Sequence, residues 1–115
     1  MIKRFDQNHR RSRAVVAGGF VFLAGQVADD KTQGVDVQTR QVFAKIDALL
    51  SEVGTDKSHL LTAQIWLADI RDIDAFNALW DEWVVDGHAP TRCCGQVLLT
   101  DPAMRVEIVV SAALA

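Results

Sequence analysis

Apolar residues recur with two different periods along this chain, and the switches between them outline its elements. Ile2 to Phe5 is a short strand candidate, and Asp6 to Arg13 is polar and expected as a loop. Ala14-Val15-Val16-Ala17, Gly18-Gly19 and Phe20-Val21-Phe22-Leu23-Ala24 read as a β-hairpin; its two glycines supply the positive φ angles of a two-residue turn. Gly25-Gln26 ends the second strand. Gly25 marks either a plain strand end or a point where something approaches the backbone closely. After the polar loop from Ala28 to Gly34, the period changes. Val42, Phe43, Ile46, Leu49, Leu50 and Val53 follow steps of three and four, the stripe of an amphipathic helix. That helix is predicted from Asp36 to Val53, with Asp36 as N-cap and Gly54 as C-terminal stop. Its other face carries Arg40, Lys45, Asp47 and Glu52, and it reads as structural.

Leu60 to Ala68 reads as a strand with Leu61, Ala63, Ile65 and Leu67 on one face. A second helix is predicted from Asp69 to about Val85, with Ile73, Phe76, Trp80, Trp83 and Val84 at helical spacing. Its tryptophans are assigned to the core. Asn77 lies one turn from both Ile73 and Trp80, so its amide borders the buried stripe and must find partners. It either ties the helix to a loop or lines a pocket. Cys93 to Leu99 and Arg105 to Ala113, joined through a Thr100–Ala103 turn, are expected to complete the sheet as a hairpin.

This order predicts an α+β fold, a single domain over residues 1–115, with two helices on one face of a mostly antiparallel sheet. Val106, Ile108 and Val110 are apolar on one side of the last strand, and Val109 and Ala113 on the other. Two helices cover one face, so self-association is the economical cover for the second.

The last hairpin also holds the candidate chemistry. Arg92 and Glu107 enter otherwise apolar runs on what are expected to be adjacent strands, and unpaired charges are almost never left buried. Arg presents a planar fork of donors that matches a carboxylate. Glu107 would act as a general base or orient a water. Such a pair suits a small carboxylate-bearing substrate that needs water or a proton moved; the alternative is a structural salt bridge between the two residues. Ser-His-Asp order, a P-loop and a dinucleotide fingerprint are all missing. Cys94 reads as a small buried thiol rather than a nucleophile.

Composition narrows this further. Half of the 115 residues are apolar, enough to build a core without disulfides or a metal. The net charge of −3 argues against a general nucleic-acid binder. Lys3, Arg4, Arg10, Arg11 and Arg13 nevertheless form a basic arm, either solvated or contacting an anion or RNA. Cys93 and Cys94, with His9, His59 and His88, fit no zinc spacing, so no metal is expected. Adjacent strand cysteines point to opposite faces and would not bridge. With no apolar signal region or membrane-length run, the expected location is the cytoplasm.

Phe22-Leu23-Ala24-Gly25-Gln26, Gln38-Thr39, Asn77, Ala89-Pro90-Thr91-Arg92 and Val106-Glu107-Ile108, in this order and spacing, make the chain resemble the Rid/YjgF family of imine/enamine deaminases. The resemblance covers nearly the whole chain. It implies a chorismate-mutase-like α+β fold and a homotrimer with three sites at its subunit interfaces. It implies hydrolysis of 2-imino and enamine acids, such as 2-aminoacrylate, to 2-keto acids and ammonia, without metal or organic cofactor. Carried over, Arg92 would hold the substrate carboxylate and Glu107 would position the hydrolytic water. Asn77, a backbone contact at Cys94, and the wall at Ala24 and Gly25 would complete the site. A non-catalytic small-carboxylate-binding trimer and RNA cleavage are the competing functions.

Two departures from the family pattern bear on specificity. Many family deaminases carry Gly-Pro-Tyr-Ser-Gln near the start, whereas Arg11 stands here where that tyrosine would be. Ala24 replaces a common serine before Gly-Gln. The pocket would lose two hydroxyls and gain a positive group, a change that would suit a larger or dianionic substrate.

Overall fold

A computed structural model describes residues 1–115. In chain order the elements are β1 (Ile2–Phe5), β2 (Ala14–Ala17), β3 (Phe20–Leu23), β4 (Gln26–Val27), α1 (Val35–Val53), β5 (Leu60–Leu67), α2 (Ile73–Trp83), β6 (Thr91–Gln96) and β7 (Val106–Ala113). Short 3-10 turns at Lys57–His59 and Ile70–Asp72 precede β5 and α2. The strands form one sheet in the order β1-β2-β3-β7-β5-β6, with β4 also paired to β7. All pairings are antiparallel except β5 with β6. This is the expected α+β arrangement of two helices on a mixed, mostly antiparallel sheet.

The core follows the two periods of the sequence. Val42, Ile46, Leu49 and Leu50 of α1 and Phe76, Leu79 and Trp80 of α2 are buried. They meet alternate residues of the strands: Val21 and Leu23, Ala63, Ile65 and Leu67, and Val106, Ile108, Val110 and Ala112. Each large apolar side chain so buried contributes roughly 1.5–3 kcal/mol. Trp80 and Trp83 cluster with Phe43 and Phe76, Phe43 stacking on Trp83 at 4.3 Å between ring centroids. The Gly18-Gly19 turn has φ angles of 57° and 81°, and Gly54 ends α1 in the left-handed region with φ 94°.

Several boundaries differ from expectation. Gly34, not Asp36, caps α1, because the Gln38 N–H donates to the Gly34 carbonyl and closes the first turn there. Asp36 lies inside that turn, where its charge still complements the helix N-terminus. The second helix starts at Ile73 rather than Asp69, since the Asp69 carboxylate accepts the Arg71 N–H and holds a separate tight turn. Leu61 leaves the buried face because a register irregularity between Leu60 and Thr62 rotates the chain. The first hairpin also ends earlier than expected, at Leu23, and Gln26 starts β4 after a two-residue break.

The largest correction concerns the last two strands. They do not form a hairpin. β6 follows α2 and pairs parallel to β5, a β–α–β crossover. β7 occupies the opposite side of β5, so β5 separates the strands that carry Arg92 and Glu107. The predicted Thr100–Ala103 turn exists, with the Ala103 N–H bonded to Asp101, but it sits in a longer excursion that leaves Leu98 fully exposed. Buried Gln38 fastens this excursion, accepting the Arg105 N–H and donating to the Ala103 and Gln33 carbonyls.

The sheet face away from the helices is open. Phe20 and Phe22 are each about half exposed on it, and Trp66, Glu107, Val109 and Ser111 are partly buried.

Candidate functional site

Arg92 lies on β6 opposite Ala63 of β5, so it shares the helix side of the sheet. From the outer strand β6 the side chain extends to α2. There its Nη2 donates to Asn77 Oδ1 at 2.7 Å. The guanidinium lies over Trp80, 5.2 Å from the ring centroid, and 6.0 Å from that of Phe76. Phe76, Asn77 and Trp80 occur at helical spacing on one face of α2, which is why one helix supplies both the amide and the rings. No carboxylate of the chain pairs with Arg92. The result is an exposed guanidinium steadied by a neutral amide and an aromatic platform, with donors left for a ligand.

Glu107 lies on β7 opposite Trp66, on the open face. Its carboxylate rests against Gly25, in the break between β3 and β4, so that a Cβ at Gly25 would overlap it. Gln26 holds the break by donating its side-chain N–H to the Ala24 carbonyl. The Ala24 N–H in turn donates to the Arg13 carbonyl, which fixes the basic loop beside this wall. Of the two readings of Gly25, close approach is the one the structure holds.

Arg92 and Glu107 therefore do not form the salt bridge that was the alternative reading. They occupy opposite faces and make separate contacts. Asn77 joins Arg92, and Cys94 packs at the core edge on the same side of β6. Burial pushes the Cys94 thiol up, with the positive charge of Arg92 partly opposing it. Ala24, Gly25 and Arg11 line a different recess of ≈ 440 Å³, together with Arg13, Asp29 and Lys45. A recess of ≈ 270 Å³ runs along β5 and β6 beside Arg92, Gln64 and Cys93. One chain thus keeps these groups apart and brings neither Arg92 nor Asn77 to Glu107.

Sequence reasoning missed three contributors. Phe76 and Trp80 serve as the platform under Arg92 as well as core, and their i, i+4 spacing around Asn77 was the available signal. Lys45 lies on the helix face that reads as structural in the sequence, yet it donates to the Val27 carbonyl and to Asp29 at 2.9 Å each and lines the recess. The hydrogen bond from Lys45 to Asp29, and then the Lys45 charge, hold the Asp29 carboxyl below its usual range.

The family model described as Endoribonuclease L-PSP matches residues 1–114. The chain belongs to the YjgF/Rid family. Among its relatives, a RutC family protein of Haemophilus ducreyi is 40% identical over 114 residues, 99% of this chain and 97% of that one. The RutC family protein YoaB of Escherichia coli is 41% identical over 113 residues, 98% of each chain. A crystal structure of a YjgF family member from Neisseria meningitidis superimposes with a TM-score of 0.95 at 40% identity, covering 100% of this chain and 96% of that one. Within the YjgF/Rid family, then, this chain keeps the expected fold, with Arg92 and Glu107 on opposite faces of its sheet.

Proposed function

We propose that the protein hydrolyses reactive 2-imino and enamine acids, such as 2-aminoacrylate, to 2-keto acids and ammonia. The carrying observation is Arg92, an exposed guanidinium without an acidic partner, bonded to Asn77 and laid over Trp80. That arrangement is a receptor for a planar carboxylate. Glu107 is the complementary group, a carboxylate on an open face held against Gly25. The site forms where the Arg92 half of one subunit meets the Glu107 half of the next, in a homotrimer that covers Phe20, Phe22 and Val109.

In the reaction, an enamine first takes a proton at carbon and becomes the imine. Water, oriented by Glu107, adds to the imine carbon while the nitrogen is protonated. The C–N bond of the adduct then breaks, ammonia leaves, and the 2-keto acid remains. Imines hydrolyse readily, so fixing the carboxylate and placing the water are the main requirements. No metal or organic cofactor takes part. Arg92 and Asn77 grip the carboxylate, Glu107 serves the water, and Ala24, Gly25, Arg11 and the Cys94 backbone form the walls.

The test generates 2-imino acids with an amino-acid oxidase in the presence of semicarbazide. The protein should suppress semicarbazone formation, and Arg92→Ala should not. Equal activity of both would remove Arg92 from the mechanism. Saturable carboxylate binding without turnover would favour a non-catalytic binding module. RNA cleavage, the activity named in the family description, would need the basic arm. Arg13 of that arm is already bonded to Asp6 at 3.1 Å, and RNA cleavage that disappears on neutralising Arg10 and Arg11 would be required to adopt it.

A further inference from the structure

The recess beside Gly25 has a charge imbalance with a direction. Three cations line it: Arg11, Arg13 and Lys45. Two are matched within the chain. Lys45 pairs with Asp29 at 2.9 Å, and Arg13 pairs with Asp6 at 3.1 Å and reaches Glu52 at 3.9 Å. Arg11 has no carboxylate partner; its Nη1 donates to the Asp6 carbonyl at 3.3 Å. Its backbone is held as well, because the Arg10 and Arg11 N–H groups both donate to the Asn8 side chain. The guanidinium is therefore exposed and positioned in a ≈ 440 Å³ recess. Gly25, the residue against which Glu107 packs, lines the same recess.

From this we infer that the preferred substrates are dicarboxylic imino acids, with Arg11 binding the second carboxylate. The inference rests on the proposed deaminase reading and names the substrate class of the same site. A 2-imino acid already spends one carboxylate on Arg92. A second positive fork lining the recess that Gly25 shares, unmatched by any acid of the chain, suits a second carboxylate on the substrate. A chain ending in a methyl group would leave Arg11 without a partner. A site built to bond a polar group discriminates strongly against the analogue that lacks it.

The experiment compares imines made enzymatically from glutamate and from norvaline, which share chain length but differ in the second carboxylate. The reading is the ratio of their kcat/KM values. It should favour the glutamate imine by about tenfold or more, fall about tenfold in Arg11→Ala and be largely kept in Arg11→Lys. Calorimetric binding of the corresponding keto acids, 2-oxoglutarate and 2-oxopentanoate, provides a readout independent of turnover. Turnover of both imines with no preference, or a preference unchanged in Arg11→Ala, overturns the assignment of Arg11 and leaves the deaminase reading standing. No turnover of either imine, with tighter 2-oxoglutarate binding that Arg11→Ala abolishes, removes the deaminase reading and keeps the dicarboxylate site. Neither turnover nor discrimination in binding overturns both.

Discussion

The Glu107 carboxylate rests where a Gly25 side chain would be. A Cβ built on Gly25 overlaps one carboxylate oxygen and comes within 3.1 Å of the carboxyl carbon. Gly25 does not have a positive φ, so alanine fits the backbone there and the conflict falls on Glu107. The end of a Glu side chain swings aside at little cost to the fold. Gly25→Ala should therefore melt within about 2 °C of the parent, as surface changes do, while imine hydrolysis falls by about tenfold to a hundredfold. Thermal melts and the semicarbazide competition assay check the two parts separately.

Asn77 leaves the Arg92 charge unspent because its oxygen is neutral. Asn77→Asp would set a carboxylate about where Oδ1 now lies, 2.7 Å from Arg92 Nη2. That acid would compete with a substrate carboxylate for the same fork. Asn77→Asp should raise KM by about tenfold or more, beyond the effect of Asn77→Ala, which loses only the orienting bond. Matching effects of the two variants would mean that Asn77 does not control the charge of Arg92.

How far this was legible in the sequence follows from the range of each interaction. Local periodicity located both helices, the Gly18-Gly19 hairpin and the Gly54 stop, because these depend on residues within a turn of one another. It also flagged Arg92, Glu107 and Asn77 as polar groups in apolar settings. Strand order was not legible. Cys93–Leu99 and Arg105–Ala113 look like a hairpin locally, yet the α2 crossover places β6 parallel to β5 and gives β7 the other side. That pairing decides whether Arg92 and Glu107 face each other, so the salt-bridge alternative could only be settled in three dimensions. The role of Gln38 was hidden for a similar reason: it bonds to Ala103 and Arg105, across more than sixty residues.

Gln38 provides a stability prediction. It is fully buried, and its amide satisfies the Arg105 N–H and the Ala103 and Gln33 carbonyls. Gln38→Leu keeps the volume but leaves those backbone groups without their partner. The expected loss is about 3 kcal/mol, within the range for breaking a buried hydrogen-bond network. Urea unfolding followed by far-UV circular dichroism measures it, and a loss below about 1 kcal/mol would show that water replaces the amide.

Acid should weaken the fold over a defined window. The Ser58 hydroxyl, with His59 and the Ser58 N–H, holds Asp56 down from 3.8 to about 2. Arg71 does the same for Asp69, from 3.8 to about 2. Both carboxyls stay ionised in the folded chain at pH values where the unfolded chain has taken up protons. Their contribution is present above pH 3.8 and is lost as pH falls toward about 2. Urea titrations across that interval should show stability falling with pH, with a shallower slope in the Asp56→Asn, Asp69→Asn double variant. An unchanged slope would place the acid sensitivity elsewhere.

Because Arg92 and Glu107 lie on opposite faces of the sheet with β5 between their strands, the proposed site needs two chains, and that need can be measured by mixing. Arg92→Ala and Glu107→Gln should each be nearly inactive as a pure protein. If they are unfolded together in equal amounts and refolded, some interfaces will join Arg92 of one variant to Glu107 of the other. With random assortment in a cyclic trimer, each site has about one chance in four of receiving both intact residues. The mixture should therefore recover about a quarter of parental activity, while the variants refolded separately and then combined recover it only as fast as subunits exchange. Sedimentation should show the same three-chain species in every sample. If the co-refolded mixture stays inactive while that species forms, Arg92 and Glu107 do not serve one site across the interface.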